Sequence, residues 1–231
     1  MDGTVGRETG AIVREGMAGR DFDYDRGAGI LFTRGSADDI FQAGRHWKRF
    51  DHRRGQGRLH LLGDAEALYL AGVYWKVFDY DAGMDALCAM GDAEYLYRAG
   101  RFWKNYDHRR GLEAIIGRGN PRFIYYAGHE WRVFDFARGQ EGLMALRSAE
   151  FLFYAGAHWK EFDFTRGTTA LIETGSPEFI YRAGALWKEF DHAAGWLVTE
   201  KHVAAGEEWR GKAFEHPRWR EALRAIWRSL V

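Results

Sequence analysis

Residues 71–79 read Ala71-Gly72-Val73-Tyr74-Trp75-Lys76-Val77-Phe78-Asp79, and the same frame, Ala-Gly-x-x-Trp-Lys/Arg-x-Phe/Tyr-Asp, occurs six times in the chain. Its tryptophans, Trp47, Trp75, Trp103, Trp131, Trp159 and Trp187, recur at an unvarying spacing of 28 residues. A fixed period of this length marks a stack of structural units, each burying its apolar face against its neighbours. Residues that recur in every repeat therefore build the stack, and residues that vary are free for another task.

Working outward from the frame, position 1 of the repeat is Ser36, Asp64, Asp92, Asn120, Ser148 and Ser176. Each is a good helix N-cap, because a short side-chain oxygen accepts from the free N–H groups of the first turn. Ala or Pro follows at position 2, and position 3 is usually acidic (Asp38, Glu66, Glu94, Glu150, Glu178), as suits the positive end of a helix dipole. This predicts a helix A carrying positions 5, 9 and 12 on one face, as in Ile124, Gly128 and Trp131. Positions 4, 8 and 15 (Phe123, Ala127, Phe134) take one flank of it, and the aromatic at position 6 (Phe41, Tyr69, Tyr97, Tyr125, Phe153, Tyr181) takes the other. The apolar arc covers roughly 200°, wider than the stripe of an ordinary surface helix. Position 16 is Asp in all six repeats (Asp51, Asp79, Asp107, Asp135, Asp163, Asp191), and Gly63, Gly91, Gly119 and Gly175 stand at position 28. These read as the N-cap and the left-handed C-terminal glycine of a shorter helix B. Glycine also recurs inside helix B, at Gly55, Gly83, Gly111, Gly139, Gly167 and Gly195. An interior helix glycine costs about 1 kcal/mol against alanine, so something bulky approaches there, the nearest candidate being a tryptophan.

A degenerate repeat occupies residues 8–35, keeping Phe22, Asp23, Arg26, Gly27, Leu31 and Gly35 but placing Gly19 where the tryptophan belongs. It reads as a polar N-terminal cap. The array is expected to span residues 1–203, with full repeats starting at 36, 64, 92, 120, 148 and 176. Residues 204–231 form a closing segment whose Trp219, Ala222, Leu223, Ile226, Trp227 and Leu230 pattern an amphipathic helix. Aromatic phrases such as Phe22-Asp23-Tyr24-Asp25 also occur in β repeat proteins of the YD-repeat kind, but the helix caps and the scarcity of Val and Thr point away from strands. The fold class expected is all-α, an α-solenoid of about seven helix-turn-helix repeats with a C-terminal capping helix. In architecture the chain resembles helical-hairpin α-solenoids such as the tetratricopeptide and HEAT arrays. Those have periods of about 34 and about 40 residues, and their signature residues are absent here.

Thirty-three basic residues balance thirty-three acidic ones, with 46% of the chain apolar and 16% aromatic. The balance removes the whole-protein positive field that steers a protein onto nucleic acid or an anionic membrane. The single cysteine, Cys88, sits at an apolar position and is expected as a buried thiol in a reducing, cytoplasmic setting. The charged first thirty residues do not read as a secretory signal, and no apolar run approaches the ~20 residues of a membrane span.

No phosphate-binding loop, His-Glu-x-x-His, Cys-x-x-Cys or Gly-x-Ser-x-Gly occurs, so a non-enzymatic protein without cofactor or metal is expected. The recurrent position 16 Asp reads as a cap, since catalysis needs one asymmetric site and a cap is needed in every hairpin. The cation at position 13 (Lys48, Lys76, Lys104, Arg132, Lys160, Lys188) is expected in the last turn of helix A, its stem over a neighbouring ring. His52, His108 and His192 share position 17 with Tyr80, Phe136 and Phe164, an interchange that indicates a packed ring and not a metal ligand.

Positions 7, 10, 11 and 14 vary and are expected together on the free face of helix A. Leu70, Val73, Tyr74 and Val77 form an apolar patch there, flanked by Arg45, His46 and Arg49 on one side and Arg98, Arg101 and Phe102 on the other, with Tyr126 and His129 beyond. Exposed apolar patches mark contact surfaces, and Tyr and Arg are frequent interface anchors. The expected function is a monomeric scaffold binding a protein or peptide through these residues. The alternatives are a nucleic-acid-binding solenoid, which adds Arg53, Arg54, Arg109 and Arg110 to Arg45, Arg49, Arg98 and Arg101, and a repeat array with no ligand. Net charge alternates along the first repeats, positive over 36–63, negative over 64–91 and positive over 92–119. Asp81 and Asp85 are thus candidate partners for the paired arginines.

Overall fold

Each position 16 Asp opens a helix by accepting, with its side chain, the backbone N–H three residues on. Asp51 accepts from Arg54, Asp79 from Ala82, Asp107 from Arg110, Asp135 from Arg138, Asp163 from Arg166 and Asp191 from Ala194. The computed structural model describes residues 3–201, 209, 211–213 and 215–229, and all the regular structure among them is helical. Cα packing divides the chain into two units, residues 1–118 and 119–231.

The first unit holds α1 (Gly3–Ala18), α2 (Tyr24–Arg34), α3 (Ala37–His46), α4 (His52–Leu62), α5 (Ala65–Tyr74), α6 (Tyr80–Met90), α7 (Ala93–Phe102) and α8 (His108–Gly117). Consecutive helices pair as hairpins, α1, α3, α5 and α7 pack in sequence as a layer of A helices, and α2, α4, α6 and α8 form a second layer of B helices. The second unit repeats the scheme with α9 (Pro121–Glu130), α10 (Phe136–Ala145), α11 (Ala149–His158), α12 (Phe164–Thr174), α13 (Pro177–Leu186) and α14 (His192–Lys201). It ends with α15 (Pro217–Ser229), which packs on α13 and α14. The protein is all-α, with a solenoid-like succession of helices of about ten residues in each unit.

Helix A is shorter than the apolar arc predicts. It ends at position 11, and the tryptophan is its C-cap, with ψ near 145° at Trp47, Trp75, Trp103 and Trp131. The tryptophan N–H still closes the last helical bond, as from Trp75 to the Ala71 carbonyl at 2.9 Å, but the extended ψ turns the chain out of the helix. Positions 13 and 14 therefore lie in the interhelical turn. The turn throws the indole into the preceding hairpin.

That hairpin is shaped to receive it. Trp75 lies against Phe50 and His52 with ring centroids 5.5 and 5.3 Å apart, and Trp103 lies against Phe78 and Tyr80 at 5.1 and 5.7 Å. A Cβ added at Gly72 would come within 2.3 Å of the Trp103 indole, so the position 9 glycine is required by close approach. The helix B glycines are crowded first by the position 15 ring of their own repeat, and at Gly55, Gly83 and Gly139 only then by the next tryptophan, as at Gly83 by Phe78 at 2.6 Å and Trp103 at 3.1 Å. The expected tryptophan is thus the second neighbour at these three glycines, while Gln140 and Ile180 stand in that place at Gly167 and Gly195. All six repeat tryptophans are buried.

Other expectations shift in detail. Ser36, Asp64, Asp92 and Asn120 cap helix A with their side chains, whereas Ser148 and Ser176 make no such bond. Gly63, Gly91, Gly119 and Gly175 are left-handed as expected, and Arg147 takes the same conformation, φ 51°, where its repeat lacks the glycine. The first helix starts at Gly3 and not at residue 8. At the far end Trp219 occupies the receiving slot of the last hairpin, 4.8 Å from His192 and stacked at 6.4 Å on Tyr181. Trp219 and Leu223 are buried, as the amphipathic reading predicts. Leu230, the side chains of Ile226 and Trp227, and residues 202–208, which include the expected 203/204 boundary, lie outside the described residues.

Candidate functional site

In the first unit, position 11 of one repeat packs over positions 6 and 10 of the repeat before. The Tyr74 ring lies 6.2 Å from Phe41, and the Arg45 guanidinium sits 4.3 Å over it. One repeat on, Phe102 lies 6.5 Å from Tyr69 and carries Arg101 at 5.0 Å. Tyr69 in turn contacts Tyr95, over which Arg98 lies at 5.6 Å while pairing with Glu94 at 2.5 Å. The A helices α3, α5 and α7 thus present a ladder of rings topped by arginines, with Tyr74 49% and Phe102 50% exposed. Burial raises the pKa of Tyr69 and Tyr95, the first opposed by Arg98 and the second reinforced by Glu66.

Several expected members stand elsewhere. Leu70 and Val73 are only half-exposed, because the A helices on either side cover this flank, so the apolar patch narrows to Tyr74, Val77 and Phe102. Val77 and Arg49 are exposed but sit in interhelical turns, because helix A ends two residues before position 13. His46 is exposed in the last turn of α3.

The position 13 cations also move. All six lie exposed outside the helices, and among the described residues none lies over a ring. The ring-stacking cations are arginines at other positions, as Arg45 over Tyr74 and Arg54 over Phe32 at 4.9 Å show.

In the second unit the same register brings together Tyr126, His129, Tyr154 and His158. The Tyr125 hydroxyl and His158 Nδ1 are 2.8 Å apart, His129 and His158 face each other at 6.4 Å, and Tyr154 stacks on His158 at 6.0 Å. Tyr126 is half-buried against Tyr125, with Arg122 5.5 Å over its ring, while His129 is exposed. Tyr154 and His158 complete this cluster although neither is among the expected contact residues. They stand at positions 7 and 11, among the variable positions of helix A, and only their contacts with Tyr125 and His129 of the repeat before depend on the stacking.

Arg53, Arg54, Arg109 and Arg110 stand in the first turns of α4 and α8, on the B layer, whereas Arg45, Arg98 and Arg101 stand on the A layer. Arg110 pairs with Asp85 of the intervening repeat, and Arg54 is engaged with Phe32. Cys88 is half-buried, not fully buried, and burial pushes its thiol pKa up against the lowering effect of Arg110. The position 17 histidines are packed rings that also bond helix A. His52, His108 and His192 each donate from Nε2 to the position 9 glycine carbonyl, at 3.0, 3.1 and 3.0 Å, as the Tyr80 hydroxyl does to Gly72 at 3.1 Å. Among the described residues no group of three or more His, Cys, Asp or Glu is placed to hold a metal ion, and no helix is long and apolar enough to cross a membrane.

Comparison with protein-family models, with curated proteins and with solved structures returns no match.

Proposed function

We propose that this chain is a scaffold that binds a protein or peptide through the A-helix ladder of its first unit. The observation that carries this reading is the placement of Arg45 over the half-exposed Tyr74, with Val77 and Phe102 exposed nearby. About half of each ring's surface is left in water by the stack, and burying that half against a partner removes apolar area from water. A guanidinium held over a ring retains N–H donors suited to a carboxylate. The partner chemistry that fits is therefore an apolar or aromatic segment bearing acidic groups.

The test is co-purification with mass spectrometry, using the intact chain, a Tyr74→Ser/Phe102→Ser double variant and a Leu61→Ser control on the B layer, where Leu61 is 79% exposed. A partner retained by the wild type and the control but lost from the double variant supports the reading. Equal recovery from all three removes the A-helix face as the contact. Retention of DNA or RNA at low salt, with a steep loss as salt rises, would reassign the arginines to a phosphate backbone.

A further inference from the structure

Two repeats carry a buried glutamine at position 21, and both use it in the same way. The Gln56 amide donates to the Asp79 carbonyl at 2.7 Å and accepts from the Asp79 N–H at 3.0 Å. Gln140 makes the same pair of bonds to Asp163, at 2.8 and 2.9 Å. Each amide thus clamps, at both ends, the backbone of the residue that caps the next helix B.

In the repeat that begins at Ser148 the residue at this position is Thr168. It is too short to reach the equivalent backbone, that of Asp191, and among the described residues the Asp191 N–H has no partner. A cleft of about 450 Å³ opens in its place between α12 and α14, lined by Phe164, Thr168, Ile172, Glu173, Phe190 and Asp191 among others. Thr168 is 5% exposed. The volume lies within the range of ligand pockets, and Thr168 lines it without a hydrogen-bond partner for its hydroxyl among the described residues. The other repeats of the array do not combine these features, since Met84, Leu112 and Trp196 fill position 21 with apolar side chains and Ala28 has no polar group.

We infer that the cleft between α12 and α14 binds a primary carboxamide, the glutamine side chain of a peptide, which clamps the Asp191 backbone as Gln56 and Gln140 clamp theirs. The molecule itself displays the geometry of the bound group twice. Phe164, Ile172 and Phe190 take the methylene stem, and the Thr168 hydroxyl supplies a further polar contact. Glu173, Glu189 and Asp191 on the rim disfavour the carboxylate of free glutamine, and a glutamine within a peptide carries none. This site is on the B layer of the second unit and is independent of the A-helix contact proposed above.

The test is titration of the 15N-labelled full chain with N-acetylglutamine methylamide, with the N-acetylglutamate and N-acetylmethionine methylamides and free L-glutamine as comparisons. The glutamine probe is expected to move the Asp191 amide and Thr168 methyl signals, free glutamine to do so more weakly, and the other two not at all. In Thr168→Gln the side chain fills the cleft from within, so the response is lost while the denaturation midpoint rises. Should that variant not fold, Thr168→Met, which places there the residue found at Met84, is expected to abolish the response by filling the same space. An unmoved Asp191 amide overturns the inference, as does an equal response to the methionine or glutamate probe, or a response that survives in the filled variant. A response to free glutamine as strong as that to the capped probe overturns the assignment to a peptide.

Discussion

The indole N–H of Trp75 donates to the carbonyl oxygen of Phe41 at 3.1 Å, across 34 residues of chain. Within the first unit Trp47 makes the same bond to Val13 and Trp103 to Tyr69; within the second, Trp159, Trp187 and Trp219 bond Tyr125, Phe153 and Tyr181. The acceptor is always position 6 of the preceding repeat. The bond fixes the ring's rotation as well as its depth, and burying the indole leaves no donor unpaired.

Trp103→Ala is accordingly expected to destabilise the chain by about 3–5 kcal/mol, the range for deleting a large buried ring. Trp103→Phe retains most of the apolar contact but loses the indole bond to the Tyr69 carbonyl, and should cost less. Urea denaturation of both variants checks the order; a stability unchanged in Trp103→Ala would contradict the packing described here.

Glycine substitutions separate close approach from mere helix propensity. Gly72→Ala places a Cβ 2.3 Å from the Trp103 ring and should destabilise by about 1–3 kcal/mol through overpacking. Gly57→Ala, in helix α4 with nothing within 4 Å, should instead stabilise by roughly 0.5–1 kcal/mol through propensity. Thermal melts of the two single variants should move in opposite directions.

The glutamine clamp makes a local prediction. Gln56→Leu keeps the bulk of the side chain and removes both bonds to Asp79, leaving its N–H without a protein partner while its carbonyl keeps the Gly83 N–H at 2.9 Å. A loss of about 0.5–1.5 kcal/mol, the net worth of an ordinary hydrogen bond, is expected. Amide hydrogen exchange should show faster exchange at Asp79, while Asp163, held by Gln140, stays protected.

Stability at high pH should report on Tyr106. Its partly buried hydroxyl donates to the Leu96 carbonyl at 2.7 Å, and its ionisation is pushed above the tyrosine range by burial first, then by the adjacent Cys88 and Asp107. A folded-state pKa raised above the unfolded value means that this stabilisation is complete below about pH 10 and is lost as pH rises beyond it. Tyr106→Phe puts there the residue the other full repeats carry, and should flatten the fall by up to about 1.4 kcal/mol per pH unit. Urea midpoints at about pH 9 and about pH 11 measure the slope.

What the sequence determined by itself is the local and periodic part of the structure: the 28-residue repeat, the Asp caps that act across three residues, the left-handed glycines and the two-helix hairpin. Those signals survive because they are short-range, each an interaction between a side chain and backbone of the same turn. The tertiary structure alone decided where the tryptophan points, since its extended ψ depends on a slot built by the preceding hairpin and no propensity within the frame encodes it. It also decided that the position 13 cation stands outside the helix, that Trp219 closes the last slot from a different spacing, and that Tyr74 meets Arg45 while Thr168 leaves Asp191 unclamped. Each of these depends on contacts more than twenty residues apart in the chain, whose register is set by stacking.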